Sequence, residues 1–308
     1  MTIAHLHNII VSYLQEEVTE DYVLLDCPFH ANLGDHLIWE GTLNALNEIK
    51  HNCLYTSSIE HFEEERVKDG QLILICGGGN FGDVWPRHQE FRRKLISLYP
   101  HSRVIHLPQT IRYEDIKNLE LDRGLFNSEG ERHCIMTRDQ RSFLFAKEHF
   151  PKCRILLVPD MAFALKPTVY IDAHQPTNDY VYIKRKDHEL SNEPLQTDLP
   201  KECETRDWPT YERLPLMRHI IYVCGGIIKR TMPLHFYFRY MNWAYSKMLH
   251  PYYVKLAVKF IARYKTIYTT RLHAGVLAHL MNRQVNIIDN NYGKMAAVWD
   301  TWITNVKS

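Results

Sequence analysis

Acidic side chains are missing from a long part of this sequence. No Asp or Glu occurs between Arg213 and Ile288, although 12 Lys and Arg residues lie there. The chain of 308 residues has a net charge of +1, so the excess of acids falls in its first 212 residues. A stretch that carries positive charge alone attracts anions such as phosphates, carboxylates or acidic lipids. An uneven but merely solvated surface is the alternative, because charge runs by themselves are weak evidence.

Other absences exclude whole classes of protein. The seven cysteines are scattered without a C-x-x-C pair, which is typical of reduced thiols in a cytosolic protein. Among the 18 histidines no spacing matches a zinc site, and the serine elbow G-x-S-x-G is absent. No window holds the roughly 18 apolar residues of a membrane span, and no nucleic-acid motif occurs. The first residues lack a basic leader, so we expect no signal peptide. We therefore expect a cytoplasmic globular protein that binds neither metal nor nucleic acid.

Short apolar runs alternate with helical patterns along most of the chain. This alternation predicts parallel strands joined by right-handed crossovers, and hence an α/β layered fold. Helices are expected at 5–17, 35–49, 87–98, 138–150, 233–264, 272–282 and 294–304. The predicted strands are YVLLDC (22–27), QLILIC (71–76), RVIHLP (103–108), HCIMTR (133–138), ILLVPD (155–160), YVYIKR (180–185), HIIYVCGG (219–226), TIYTTR (266–271) and VNIID (285–289).

A polar region with five prolines, 166–212, separates two sets of these elements. We predict two Rossmann-like domains that face a cleft, formed by residues 1–165 and 166–292. A terminal helix within 293–308 is expected to pack back toward the first domain. Ligands of open parallel sheets bind outside the carboxyl ends of the strands, so the loops that follow strands are the places to look for chemistry.

One such loop is rich in glycine. Gly77, Gly79 and Gly82 satisfy G-x-G-x-x-G, but the acidic residue that a dinucleotide site needs about 20 positions later is absent. The segment also lacks the Lys-Ser/Thr of a phosphate-binding P-loop. We interpret it as a strand-to-helix turn whose backbone amides approach an anion or a sugar. A purely structural tight turn is the alternative.

The motif Asn-apolar-Gly-Asp follows each of the first two predicted strands. It comprises Asn32 and Asp35 in the first copy, and Asn80 and Asp83 in the second. Carboxylates at such loop tips accept hydrogen bonds from sugar hydroxyls or take a proton from one. The alternative is that both aspartates only cap helices.

Cationic residues follow the strands of the second set. Arg271 ends a strand, and its planar guanidinium suits a phosphate or carboxylate. His273 lies beside the start of the next helix, where an imidazole can donate or accept a proton. Arg185 has the same position after a neighbouring strand, and Lys294 follows the last strand. These residues predict an anion site.

The segment 229–265 combines Tyr, Trp and Phe with Lys and Arg. Its aromatic residues are consistent with a core-facing helix pair. The same composition suits peripheral contact with a membrane surface that carries anionic lipid, at the inner face of the membrane. Both interpretations stay open at this point.

Together these motifs resemble the polysaccharide pyruvyl transferase family, in order along most of the chain. The resemblance rests on ANLGD (31–35), ICGGGNFGDVWP (75–86), LPQTI (107–111), TRD (137–139), VPDMAFAL (158–165), YIKRKDHE (182–189), TTRLHAGVLAHLMNR (269–283) and DNNYGKMAAVWDTW (289–302). It implies two Rossmann-like domains like those of GT-B glycosyltransferases, with the acceptor on the first and the donor on the second. It also implies transfer of the three-carbon unit of phosphoenolpyruvate to a sugar, as a ketal, with release of phosphate and without a further cofactor.

Roles for individual residues follow from this resemblance and from the chemistry that it needs. His273 is expected to be the general acid, Asp83 the base, and Arg271 the residue that stabilises the departing phosphate. Expected substrate-binding residues are Arg185, Leu272, Lys294, Asn80, Gln109, Asn32 and Asp35. The expected acceptor is a glycan, free or lipid-linked. The alternatives are a GT-B glycosyltransferase that uses a nucleotide-sugar and a scaffold without enzyme activity that docks on membrane glycolipid.

Overall fold

The computed structural model describes residues 2–169, 175–185, 199–288 and 293–304. Within these ranges the chain forms two sheets, and every strand pair in them is parallel. Helices connect the strands, as crossovers between parallel strands require. The predicted α/β fold with parallel strands is therefore confirmed, whereas the domain boundaries at 165/166 and 292/293 stay predictions.

The first sheet has the strand order β2-β1-β3-β5-β6-β7, with β4 paired to β5. Its central strands are buried on both faces, which explains their continuous apolar sequences. The strands are β1 (Tyr22–Leu25), β2 (Cys53–Ser57), β3 (Leu72–Ile75), β4 (Gly78–Gly82), β5 (Val104–Arg112), β6 (His133–Thr137) and β7 (Arg154–Leu157).

The second sheet is smaller, with the order β11-β10-β8-β9. Its strands are β8 (Asn178–Ile183), β9 (Glu204–Arg206), β10 (Tyr264–Thr269) and β11 (Gln284–Ile287). The two strands that carry Arg185 and Arg271 at their ends, β8 and β10, are direct neighbours, so these two arginines start from the same edge of the sheet.

Eleven α-helices lie in the described ranges. They are α1 (Ile3–Glu17), α2 (Leu33–Leu46), α3 (Pro86–Leu98), α4 (Ile116–Glu129), α5 (Gln140–His149), α6 (Pro209–Glu212), α7 (Leu216–Thr231), α8 (Leu234–Ala244), α9 (His250–Ala262), α10 (Leu272–Leu280) and α11 (Lys294–Trp299). A π-helical turn, Tyr245–Leu249, joins α8 to α9. None of the described helices is long and apolar enough to cross a membrane.

Two sequence predictions about elements were wrong. HIIYVCGG (219–226), predicted as a strand, lies inside α7. Its apolar run is short enough to suit either element, and the helical spacing appears only when the residues on both sides are included. The glycine-rich segment is not a simple turn but strand β4, where a Cβ atom on Gly82 would lie 1.8 Å from the Arg112 carbonyl oxygen. Glycine therefore allows β4 to pair this closely with β5.

The two sheets share one continuous apolar core. This core includes Leu24 and Leu74 of the first sheet together with Val181 and Ile267 of the second. Helices α2, α9 and α10 pack between them. A buried polar contact adds to this packing, because His36 Nδ1 of α2 lies 3.1 Å from the same atom of His250 in α9. The shared core fixes the relative position of the two strand edges that bear the site.

Candidate active site

A cleft of about 520 Å³ lies where the carboxyl ends of the two sheets come together. This is the place where open parallel sheets bind ligands. The first sheet contributes the segment 26–32 after β1, the segment 76–80 after β3, and Arg138 after β6. The second sheet contributes Arg185 and the segment 271–273.

The first turns of α2 and α10 meet inside this cleft. Both Gly34 of α2 and His273 of α10 line it, and a Cβ atom on Gly34 would lie 2.8 Å from Nδ1 of His273. Asn32 caps α2, since its Oδ1 accepts a hydrogen bond from Gly34 N (3.1 Å) while its Nδ2 donates to Asp35 Oδ2 (2.8 Å). Two helix N-termini at one cleft favour a negatively charged ligand.

His273 belongs to a buried charge cluster. Its Nε2 lies 3.2 Å from Asp160 Oδ2, and Arg138 donates a hydrogen bond of 2.5 Å to the same carboxylate oxygen. Burial raises the pKa of Asp160, but the charges of His273 and Arg138 outweigh it and hold this pKa below its ordinary value. Asp160 therefore stays ionised, orients Nε2 of His273 and leaves Nδ1 on the side of Gly34.

Arg271 is held rigidly at the cleft wall. Its Nε and Nη2 both donate to the carboxylate of Asp207, the latter at 2.8 Å, and both side chains are almost fully buried. Its guanidinium also stacks 4.7 Å from the ring centre of Tyr211, another residue of the cleft. Leu272 lines the cleft beside it. A guanidinium fixed in this way is preorganised for an anion.

A second cluster of titratable groups lies in the same cleft. Nδ1 of His88 is 3.0 Å from both carboxylate oxygens of Asp26, and Asn80 Nδ2 donates to Asp26 Oδ2 at 3.4 Å. Burial lowers the pKa of His88, but the charge of Asp26 and its hydrogen bond raise it more, so the net shift is upward. Asp26 has a φ of 64°, a left-handed conformation that is rare for residues other than glycine. Such strain is concentrated at functional sites.

Polar and aromatic groups complete the side of the cleft formed by the first sheet. His30 pairs with Asp35 at 3.4 Å and Arg87 pairs with Glu60 at 2.8 Å. The exposed Trp85 adds an apolar ring surface. This mixture of hydrogen-bonding groups with an aromatic face suits a polyhydroxylated ligand better than a second compact anion.

Most of the predicted site residues lie together in the cleft. Those that line it are His273, Arg271, Leu272, Arg185, Asn80, Asn32 and Asp35. Lys294 begins α11, but its side chain lies outside the described part of the structure. The alternative that Asp35 only caps a helix is not supported, because Asn32 is the N-cap of α2.

The structure does not bring Asp83 or Gln109 to the cleft lining. The Asp83 carboxylate accepts hydrogen bonds from the backbone N–H groups of Glu114 (2.7 Å) and Asp115 (2.8 Å), so it fixes the loop before α4. This geometry does not support Asp83 as the base, and that role stays a prediction. Gln109 is fully buried inside β5 and donates to the Cys76 carbonyl at 2.7 Å, which places it beneath the cleft floor.

Sequence reasoning missed five residues that build the site. They are Asp26, His88, Arg138, Asp160 and Asp207. Asp26, Arg138 and Asp160 lie at the ends of strands that the sequence predicted, so the rule on strand ends was sufficient to find them. Asp207 follows β9, a strand that the sequence did not predict. His88 carries no such signal, because only the folding of α3 brings it to Asp26. Among the described residues no group of His, Cys, Asp and Glu is arranged to hold a metal ion.

Comparisons with known proteins identify the family of this chain. A model of the polysaccharide pyruvyl transferase family matches residues 32–292. "Putative pyruvyl transferase EpsO" from Bacillus subtilis (strain 168) is 33% identical over 290 residues, which cover 94% of this chain and 87% of that protein. "Pyruvyl transferase 1" from Schizosaccharomyces pombe is 24% identical, and the alignment covers 98% and 75% of the two chains.

A solved structure has the same fold. This structure, of a functionally uncharacterised protein from Klebsiella pneumoniae, superposes with a TM-score of 0.63 at 18% identity, covering 99% of this chain and 96% of the other. At this identity the similarity shows the fold alone. The family model and the relative that is 33% identical carry the assignment: the chain belongs to the polysaccharide pyruvyl transferase family.

Proposed function

We propose that this protein transfers the three-carbon unit of phosphoenolpyruvate to a sugar of a cell-surface polysaccharide or of its lipid-linked precursor. The product is a pyruvate ketal, and phosphate is released. The observation that carries this proposal is the convergence of Arg271, Arg185, Arg138 and His273 on one cleft at two helix N-termini. Phosphoenolpyruvate bears a phosphate and a carboxylate on three carbons, so it needs several cations at short range.

The donor binds on the side of the cleft formed by the second sheet. Arg271 and Arg185 start from neighbouring strands and provide two guanidinium groups for the carboxylate and the phosphate. Arg271 cannot turn away, because Asp207 holds its Nε and Nη2. The first turn of α10 adds the positive end of its helix dipole. These groups also stabilise the charge that gathers on the leaving phosphate.

His273 is the general acid of the proposed reaction. It protonates the methylene carbon of phosphoenolpyruvate, which converts C2 to an oxocarbenium-like centre. An acceptor hydroxyl attacks C2 and gives up its proton, and the C2–O bond to phosphate then breaks with its electron pair. A second hydroxyl closes the ketal, and its proton leaves with the phosphate. The acceptor thus loses two hydroxyl protons. One proton is gained by the new methyl group, and the other is gained by the phosphate, which leaves as hydrogen phosphate.

The pair of His88 and Asp26 takes the place of Asp83 as the group that activates the acceptor hydroxyl. His88 Nδ1 lies 3.0 Å from the Asp26 carboxylate, which fixes the ring and favours the imidazolium that forms when a proton is accepted. The acceptor lies along Asn80, Asp35 and the face of Trp85, which offer hydrogen-bond partners and an apolar surface.

The decisive experiment measures phosphate release and product mass with a panel of donors. Purified protein is incubated with synthetic or lipid-linked glycans and with phosphoenolpyruvate, UDP-glucose or UDP-galactose. We expect turnover and thermal stabilisation with phosphoenolpyruvate alone, and loss of turnover in His273→Ala. The matched control is His279→Ala in the same helix, which lines no part of the cleft. Turnover with a nucleotide-sugar, or full activity of His273→Ala, would refute the proposal.

A further inference from the structure

Helix α7 presents an apolar stripe to solvent. Leu216, Ile220, Val223 and Ile227 follow one another at intervals of four, three and four residues, so they lie on one face of the helix. These side chains are between 50% and 73% exposed. A helix on the surface of a globular protein normally turns such a face toward the core.

The exposed apolar surface continues past the end of α7 and along α8. Met232 and Leu234 lie at the turn between the two helices, and Phe236 and Trp243 are exposed on α8. We name the exposed apolar side chains of residues 214–243 the hairpin face. Contiguous exposed apolar surface of this kind marks an interaction site more often than an accident of composition.

The other face of this helical hairpin is already occupied. Ile221 and Gly225 of α7 are buried, and a Cβ atom on Gly225 would lie 2.5 Å from Sδ of Met241 in α8. Asn242 of α8 in turn donates to the carbonyl oxygen of His61 at 3.2 Å, on the side of the first sheet. The packing of α7 against α8 therefore sets the orientation of both helices and leaves the hairpin face outward.

The positive charge around the hairpin face indicates what kind of partner covers it. Lys229, Arg230, Arg239 and Lys247 are exposed within or beside it, and no acid occurs between Arg213 and Ile288. A second copy of this chain would bring the same positive surface against itself, which opposes a two-fold dimer. Exposed Leu, Ile, Phe and Trp bordered by Lys and Arg are the composition of helices that lie in the interface of an anionic bilayer.

We propose that the hairpin face docks this protein on a membrane surface that contains anionic lipid. This assignment changes the boundaries expected from the sequence, 229–265. The second half of that segment is α9, in which Tyr253, Ala257 and Ile261 are buried in the core, whereas α7 belongs to the docking surface. The hairpin is thus the membrane element and α9 the element that anchors it to the fold.

The position of the hairpin suggests a role for docking, and this role rests on the proposed function. Phe29 lines the cleft, and its ring centre lies 3.6 Å from that of Tyr245, in the turn after α8. The Phe29 ring also lies 6.1 Å from that of Tyr222, an exposed residue of α7, so this wall of the cleft packs against the helical hairpin. A sugar carried on a membrane lipid reaches the cleft without leaving the bilayer surface.

Vesicle co-sedimentation of the full chain tests the proposal without any need for turnover. The vesicles are of phosphatidylcholine alone or of phosphatidylcholine mixed with phosphatidylglycerol, each at low and high salt. We expect binding to the mixed vesicles and weakening by salt. The variant Leu216→Gln, Ile220→Gln, Val223→Gln, Ile227→Gln should lose at least about tenfold in partitioning. The matched control replaces three exposed apolar residues elsewhere, Ile116→Gln, Leu121→Gln and Leu144→Gln, and should bind as the original chain does.

Two outcomes would overturn the docking proposal. One is equal sedimentation of the quadruple variant and the original chain with anionic vesicles. The other combines two results: the original chain is a dimer whereas the quadruple variant is a monomer, and neither protein binds vesicles. That outcome would mean that a second copy of the chain covers the hairpin face. Turnover of a water-soluble acceptor by the quadruple variant should be unchanged. Loss of vesicle binding with this activity retained separates docking from catalysis, so the two proposals can fail independently.

Discussion

A Cβ atom on Gly34 would lie 2.8 Å from Nδ1 of His273, so the first turn of α2 leaves no room for a side chain against the imidazole. Gly34 is needed for space and not for backbone freedom, because it lies within α2 and its φ is not positive. The contact joins an element of the first sheet to the residue that we propose as the acid. It gives the first prediction.

Gly34→Ala should lower kcat at least about tenfold, because the new methyl group displaces the His273 ring from its hydrogen bond to Asp160. Steady-state phosphate release measures this effect. Gly124→Ala is the matched control, since that glycine also lies in a helix of the first sheet and has no heavy atom within 4 Å of a Cβ position. Equal kcat values in the two variants would mean that the position of His273 does not matter.

Arg271→Lys should lower kcat/KM for phosphoenolpyruvate about 10- to 100-fold. A lysine carries the same charge but cannot donate to Asp207 and to an anion from two edges of one planar group. The control is Arg206→Lys, which changes an arginine that pairs with Glu204 and Glu212 outside the cleft. If both variants keep their kcat/KM, Arg271 does not bind the donor.

The proposed base predicts a shift in the pH profile of kcat. Asp26 raises the pKa of His88, and His88 accepts a proton only when neutral, so the rate should rise with pH through this pKa. Asp26→Asn removes the negative charge, which should move the rising limb to lower pH and reduce the plateau. His88→Gln should cost about 10²- to 10⁴-fold in kcat. Asp69→Asn, at the exposed pair of Asp69 and His101, should change neither.

Asp83→Ala should affect stability rather than turnover. The carboxylate accepts hydrogen bonds from two backbone N–H groups ahead of α4, and their loss costs about 1–2 kcal/mol in the free energy of unfolding. Urea unfolding measures this cost, and kcat should stay within about twofold. A large fall in kcat with unchanged stability would restore Asp83 as a catalytic group.

Buried histidines predict that the protein loses stability in mild acid. Burial lowers the pKa of His61 from 6.5 to about 4 and that of His133 to about 3, and it holds those of His36 and His106 well below 6.5. Between these values and 6.5 the unfolded chain binds more protons than the folded chain, so the free energy of unfolding falls as pH drops. Each such group contributes about 1.4 kcal/mol per pH unit.

Urea unfolding between pH 6.5 and about 4 measures this slope. His133→Asn should reduce the slope by about one proton, whereas His5→Gln, at an exposed position, should leave it unchanged. His88 acts in the opposite sense, because its pKa is raised. A stability that is independent of pH over this range would contradict the expected protonation of the buried rings.

The sequence predicted much of the scaffold because its signals are local. The apolar runs of β1, β3 and β6 and the position of Pro86 at the start of α3 are properties of neighbouring residues. The segment 219–226 was assigned to the wrong element because an apolar run of this length fits a strand as well as a helix.

The site was predicted less completely, because it depends on which chain segments meet. Arg271 and His273 follow a strand of the second sheet and were found from that position alone. Asp26 and His88 are 62 residues apart, and no sequence pattern near either residue predicts that the two are in contact. Asp83 repeats the pattern around Asp35, but the course of the chain before α4 directs it to backbone amides instead.

The core that the two sheets share has a consequence for turnover. Opening the cleft by a hinge would separate α2 from α9 and α10 and expose the apolar surface between them, together with His36 and His250. Domain closure of the kind that many two-lobed enzymes use is therefore costly here. The side chains that line the cleft are therefore held at fixed distances, and we expect the width of the cleft before any ligand binds to determine which substrates enter it.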